Sequence, residues 1–96
     1  MKFNDLQSRL WNRMLELIDD YHRKKISFSD LIYGLEGSLD AGEFRNDENI
    51  VRQWYDCWTP LEILYATKNS RVTDQDAEEY LDAMQKFLQK IQRDPS

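Results

Sequence analysis

The chain has 96 residues, of which 41% are hydrophobic and 32% charged, which supplies one modest core in one domain and excludes a disordered acidic tail. Thirteen basic against eighteen acidic residues leave a net charge of −5, which argues against free nucleic acid as a ligand, because phosphate contacts dominate that affinity. With three glycines, two prolines and no runs of Val or Ile alternating with polar residues, a sheet has little to be built from, and the chain reads as all-α.

The lone cysteine, Cys57, cannot form an internal disulfide and fits a reducing compartment. No apolar run approaches the length of a membrane span or a signal segment. The expectation is a single domain over 1–96, cytoplasmic, with no membrane partner.

Helical spacing then divides the chain. Asn4 or Asp5 caps a first helix over about 5–22, whose stripe is Leu6, Leu10, Met14, Leu17 and Tyr21, widened by Trp11 and Ile18. It ends in His22, Arg23, Lys24 and Lys25, cations that meet the negative end of the helix dipole. Ser27 with Asp30 opens a second helix over about 28–41, with Phe28, Leu31, Ile32, Leu35 and Leu39 on its apolar face. Gly34 and Gly37 inside it imply close approach to an aromatic helix, and Gly42 stands where the helix should stop.

The third helix, over about 47–68, starts at Asn46 or Asp47 and carries Ile50, Trp54, Trp58, Leu61 and Tyr65 in one phase. Thr59-Pro60-Leu61-Glu62 is itself a helix-start pattern, yet the phase is unbroken. One element bent near Pro60 is therefore expected, since the proline removes a hydrogen bond and crowds the preceding turn. Thr73 with Asp76 starts a last helix over about 74–92, buried through Ala77, Tyr80, Met84, Phe87 or Leu88, and Ile91. Helices joined this briefly predict an antiparallel four-helix bundle.

Chemistry is hard to place on this chain. A di-iron bundle needs two Glu-x-x-His pairs, and there is one histidine; the Asp19 and His22 pair sits at an exposed basic helix end, so no metal is expected. Cys57 lies in an aromatic-rich helix and reads as a small buried hydrophobe. There is no nucleophile elbow, phosphate loop or cysteine pair. No catalytic residue and no cofactor are assigned, and the chain is read as a non-enzyme. The Trp and Tyr stripe reads as core, because base stacking without a basic groove is hard to defend. Tyr33, Tyr55 and Trp11, at the margins of their stripes, are candidates for exposed aromatic anchors.

Charge is uneven. Residues 1–25 hold six basic and four acidic side chains, 26–72 four and eight, and 73–96 three and six. Asp47, Glu48, Asp74, Asp76 and Glu78 lie in or beside first turns, where the helix dipole favours them. Asp40, Glu43, Glu79 and Asp82 have no such explanation, and carboxylates in a loop beside a helix start can address a basic partner.

Phe28-Ser-Asp-Leu31-Ile32-Tyr-Gly-Leu35-Glu36 in the second helix and Trp58-Thr-Pro-Leu61-Glu62-Ile-Leu-Tyr65-Ala66 in the third resemble small acidic helical bacterial proteins. Some of these are immunity proteins of contact-dependent growth inhibition and polymorphic toxin systems. The resemblance covers about half the chain. It implies one-to-one binding that neutralises a basic toxin domain, a nuclease by charge, in the cytoplasm. On that reading the contact surface is Tyr33, Asp40, Glu43, Asp47 and Glu48, while Glu36 and Glu62 flank the core and pair with an arginine or a backbone amide. The competing expectation is a homo-oligomeric or adaptor bundle that holds other helices by an exposed aromatic edge, marked by a large apolar patch.

Overall fold

The computed structural model describes residues 3–44 and 47–93. They form α1 (Asp5–His22), α2 (Phe28–Gly42), α3 (Glu48–Lys68) and α4 (Asp74–Arg93), with a 3-10 turn at Asn69–Arg71. No strand occurs among the described residues. The radius of gyration of 13.0 Å matches the ~13 Å of a folded chain near this length, so the helices surround one core. Each helix packs on the next in sequence and α4 closes on α1, a cyclic order that makes an all-helical bundle.

The helix starts follow from side-chain acceptors. Asn4 Oδ1 accepts the Gln7 amide at 2.8 Å, and Gln7 Oε1 accepts the Asn4 amide in return. Ser27 with Asp30, and Thr73 with Asp76, make the same reciprocal pairs. Asp47 caps α3 by accepting the Ile50 amide at 3.1 Å, and the other candidate cap, Asn46, lies outside the described residues. Each cap satisfies an otherwise unpaired amide and contributes ~0.5–2 kcal/mol. At the end of α1, Lys24 takes a left-handed φ of 62°, while the Lys25 amide donates to the Asp20 carbonyl and the Lys24 amide to Tyr21. This is a Schellman closure with lysine where glycine is usual.

The core follows the apolar stripes with corrections of phase. On α2 and α3 the expected Phe28, Leu31, Ile32, Leu35, Leu39, Ile50, Trp54, Trp58 and Leu61 are all buried, while Tyr65 is half-buried. On α1 the buried line is Gln7, Trp11, Met14, Leu17, Ile18 and Tyr21, and Leu6 is 50% exposed. Polar Gln7 takes the inward position because its amide donates to the Gly42 carbonyl at 2.9 Å, so the stripe turns away from Leu6. That rotation carries Trp11 inward to 1% exposure, against its expected place at an exposed margin. On α4, Leu81 replaces Tyr80 inside, and both Phe87 and Leu88 are buried.

The close approach expected at the α2 glycines falls on α1 rather than on the aromatic α3. A Cβ at Gly34 would lie 3.0 Å from Leu17 Cδ1, whereas at Gly37 it would meet nothing within 4 Å. Helix α3 runs unbroken through Pro60. Lacking an N–H, the proline leaves the Asp56 carbonyl without its helical donor, on an exposed residue that water reaches. Burial of Trp58 and Leu61 on either side offsets that loss at ~1.5–3 kcal/mol per large side chain. Among the described residues no helix is long and apolar enough to cross a membrane.

Candidate functional site

The junction between α2 and α3 is built from a short set of local constraints. Glu43 adopts a left-handed conformation, φ 47° and ψ 54°, and its amide closes on the Asp40 carbonyl at 3.2 Å. The reversed chain lays the Phe44 ring directly on Gly42, where a Cβ would stand 2.3 Å from Phe44 Cε2. Edge contacts to Phe3 and Trp11, with centroids 5.1 and 5.4 Å away, also hold the ring. With the Gln7 amide on the Gly42 carbonyl, the end of α2 is fixed to α1, and the Asp47 cap then starts α3.

These constraints leave a cleft of about 580 Å³ between the two helix ends. Leu39, Phe44, Val51 and Tyr55 give it an apolar lining, and Asp40, Glu43, Glu48 and Arg52 give it charge. The three carboxylates are exposed and make no ion pair among the described residues. Glu16, Asp19, Asp20, Asp76 and Asp82, in contrast, each face a cation at 2.9 to 3.8 Å. Tyr55 registers the negative field: burial first, then the charges of Glu36 and Asp40, push its phenol above the usual range. Its hydroxyl stands 3.5 Å from Glu36 Oε2, so Glu36 meets a tyrosine instead of the expected arginine or backbone amide.

Asp40, Glu43 and Glu48, already close in the chain, thus converge on one hollow. Asp47 stands beside them with its carboxylate committed to the α3 cap. Tyr33 is 63% exposed and does not line the cleft; it meets the half-buried Tyr65 edge-on at 6.1 Å. Tyr55 lines the cleft while half-buried. Of the apolar lining only Tyr55 stood out in the sequence, as a candidate aromatic anchor; Leu39, Phe44 and Val51 did not. Phe44 was the available signal, an aromatic two residues past a helix-ending glycine, which must find cover somewhere.

Cys57 is only half-buried, and burial, then Asp56, pushes its thiol up, which disfavours the nucleophilic thiolate. A second hollow of about 580 Å³ is lined by His22, Gln75, Glu78, Glu79, Asp82 and Gln85. It gathers the two α4 acids left over from dipole considerations, but it has no apolar floor, and Asp82 is paired with Lys86 at 2.9 Å. Among the described residues no group of three or more His, Cys, Asp or Glu is placed to hold a metal ion. Comparison with protein-family models, with curated proteins and with solved structures finds no match to this chain.

Proposed function

We propose that this chain is a binding protein whose α2–α3 cleft covers a cationic surface of a protein partner, and that it acts as an immunity protein neutralising a toxin in the cytoplasm. The observation that carries the reading is a cleft with an apolar lining and three carboxylates, Asp40, Glu43 and Glu48, that no described cation neutralises. An acidic rim steers a basic partner and an apolar centre holds it, a division of labour common at tight interfaces. A nuclease is the toxin class that matches the charge, because a surface that accepts phosphates is basic. In this reading the chain works by occupancy and carries no catalytic centre.

The test is matched capture from the native cells with the wild-type chain and with Asp40→Lys/Glu43→Lys/Glu48→Lys. A basic protein should be retained by the first and lost with the second, and co-expression of the wild-type chain alone should relieve that protein's toxicity. Equal retention by both chains, or undiminished toxicity, would overturn the proposal. So would a size-exclusion mass showing a stable homo-oligomer that the triple substitution dissociates, because the cleft would then be the contact between copies.

A further inference from the structure

The cleft joins two chemistries that few ligands want together. A metal ion is best served by oxygen ligands and water, and an ammonium group, a compact and strongly hydrated point charge, gains less than a guanidinium from an apolar and aromatic lining. An apolar peptide segment would leave three carboxylates desolvated beside it, at a cost. An arginine side chain needs both halves: a three-methylene stem that covers apolar surface, and a planar, weakly hydrated guanidinium that takes carboxylates bidentately and stacks on aromatic rings. Half-buried Tyr55 supplies the aromatic face, Phe44, only 3% exposed, lies beneath as apolar floor, and Asp40, Glu43 and Glu48 supply the acceptors.

Resting on the reading of this cleft as the partner-facing surface, we infer that it is a receptor for an arginine side chain presented by a protein partner. A volume of about 580 Å³ lies within the ~300–1,000 Å³ of ligand sites, room for the side chain and the main chain that bears it. Charge complementarity sets the sign. Three carboxylates outnumber Arg52, the one cation in the lining among the described residues, whereas Glu16, Asp19 and Asp20 on α1 and Asp76 and Asp82 on α4 already have intramolecular partners. Arg52 has a role in this arrangement as a like charge in the same lining. It therefore limits affinity and favours a partner that brings an acid next to its arginine.

The inference is tested on the isotope-labelled full chain by following backbone amide shifts during titration with acetyl-Gly-Ser-Xaa-Ser-Gly-amide peptides. Xaa is arginine, lysine or citrulline, and agmatine serves as a small-molecule probe. The arginine peptide should move amides within 39–44 and 48–55 saturably, about two- to fivefold tighter than the lysine peptide, the margin of a stacked and bidentate cation over a point charge. Citrulline, isosteric and uncharged, should not bind. Asp40→Asn/Glu43→Gln/Glu48→Gln should keep the spectrum of a folded chain and lose the shifts, while Arg52→Gln should tighten binding by about two- to fivefold, the scale of one exposed charge pair.

Equal binding of lysine and arginine peptides, shifts centred on Glu78 to Asp82, or undiminished binding by the neutralised variant would each overturn the inference. Agmatine binding as tightly as the peptide would reassign the cleft to a free guanidine and overturn the protein-borne source. The two proposals fail separately. Arginine binding in the cleft together with a captured partner indifferent to charge reversal would remove the toxin reading and leave this one. A partner lost on charge reversal without arginine preference would do the opposite.

Discussion

Replacing Gly42 by alanine tests whether Phe44 is the piece that shapes the α2–α3 junction. The added Cβ would stand 2.3 Å from Phe44 Cε2 and 2.9 Å from Cδ2 and Cζ, against an optimum of ~3.5–4.0 Å between carbons. The ring must therefore retreat by more than about 1 Å, out of a site where it is 3% exposed and in contact with Phe3 and Trp11. Expulsion forfeits ~1.5–3 kcal/mol of burial and ~0.5–1.5 kcal/mol from aromatic edge contacts. Alanine returns up to ~1 kcal/mol of helix propensity, so the net destabilisation expected is about 1–3 kcal/mol. Urea unfolding followed by tryptophan fluorescence reads this as a lower midpoint at unchanged slope. In a Phe44→Ala background, where the obstructing ring atoms are gone, Gly42→Ala should cost almost nothing, giving a coupling of about 1–3 kcal/mol between the two positions. A cost that is equal in both backgrounds would refute this account of the junction.

The other two α2 glycines should separate: Gly37→Ala, facing open space, should stabilise by ~0.5–1 kcal/mol. Gly34→Ala, with Leu17 methyls at 3.0 and 3.2 Å, should be neutral or destabilising by up to ~2 kcal/mol in the same urea assay. Lys24→Gly relieves the left-handed φ of 62°, which costs an L-residue ~1–2 kcal/mol, less the ~0.5–1 kcal/mol of added chain entropy. A calorimetric Tm higher by ~2–6 °C is expected. On the acid side, the Thr73 amide and then Lys68 hold the Asp76 carboxyl below its ordinary range. Its contribution is complete above the unfolded pKa and is lost as pH falls through the folded one, so Asp76→Asn should flatten the acid limb of a stability profile. On the alkaline side, burial and then the hydrogen bond to Asp74 push the Tyr21 phenol up to about 12. That contribution is complete below the unfolded value and is lost as pH rises toward 12, so Tyr21→Phe should remove it and delete one late phenol from an ultraviolet titration.

Helix limits were legible because Asn4, Ser27, Asp47 and Thr73 mark them chemically, independent of tertiary context. Which face each helix buries was less so. A period near 3.6 lets neighbouring positions share a stripe, and Leu6 and Tyr80 fitted the spacing as well as Gln7 and Leu81 did. The decision on α1 rests on a contact between Gln7 and Gly42, 35 residues apart, which a polar residue does not advertise. The same limit applies to the site. Charge placed Asp40, Glu43 and Glu48 in one region of the chain, but the apolar lining depends on Glu43 adopting a left-handed turn that glycine would normally announce. Tyr33, chosen for its marginal place on α2, is exposed as a marginal residue should be, yet its neighbour is Tyr65 and not the carboxylates.

The three indoles have a consequence for how the bundle is wound. Trp11 Nε1 donates from α1 to the Leu88 carbonyl of α4, Trp58 Nε1 from α3 to the Ile32 carbonyl of α2, and Trp54 Nε1 from α3 across the core to Met14 Sδ of α1. Four amphipathic helices can be arranged clockwise or anticlockwise with nearly equal burial, because apolar contact is indifferent to direction. A buried N–H is not indifferent: in the opposite winding Trp11 and Trp58 would face the wrong neighbour and lose their acceptors, at ~1–3 kcal/mol apiece, while Trp54, whose partner lies diagonally across the core, reads neither direction. Trp11 and Trp58 therefore act as the chirality element of this chain, favouring one handedness of two arrangements that its leucines and isoleucines would accept alike.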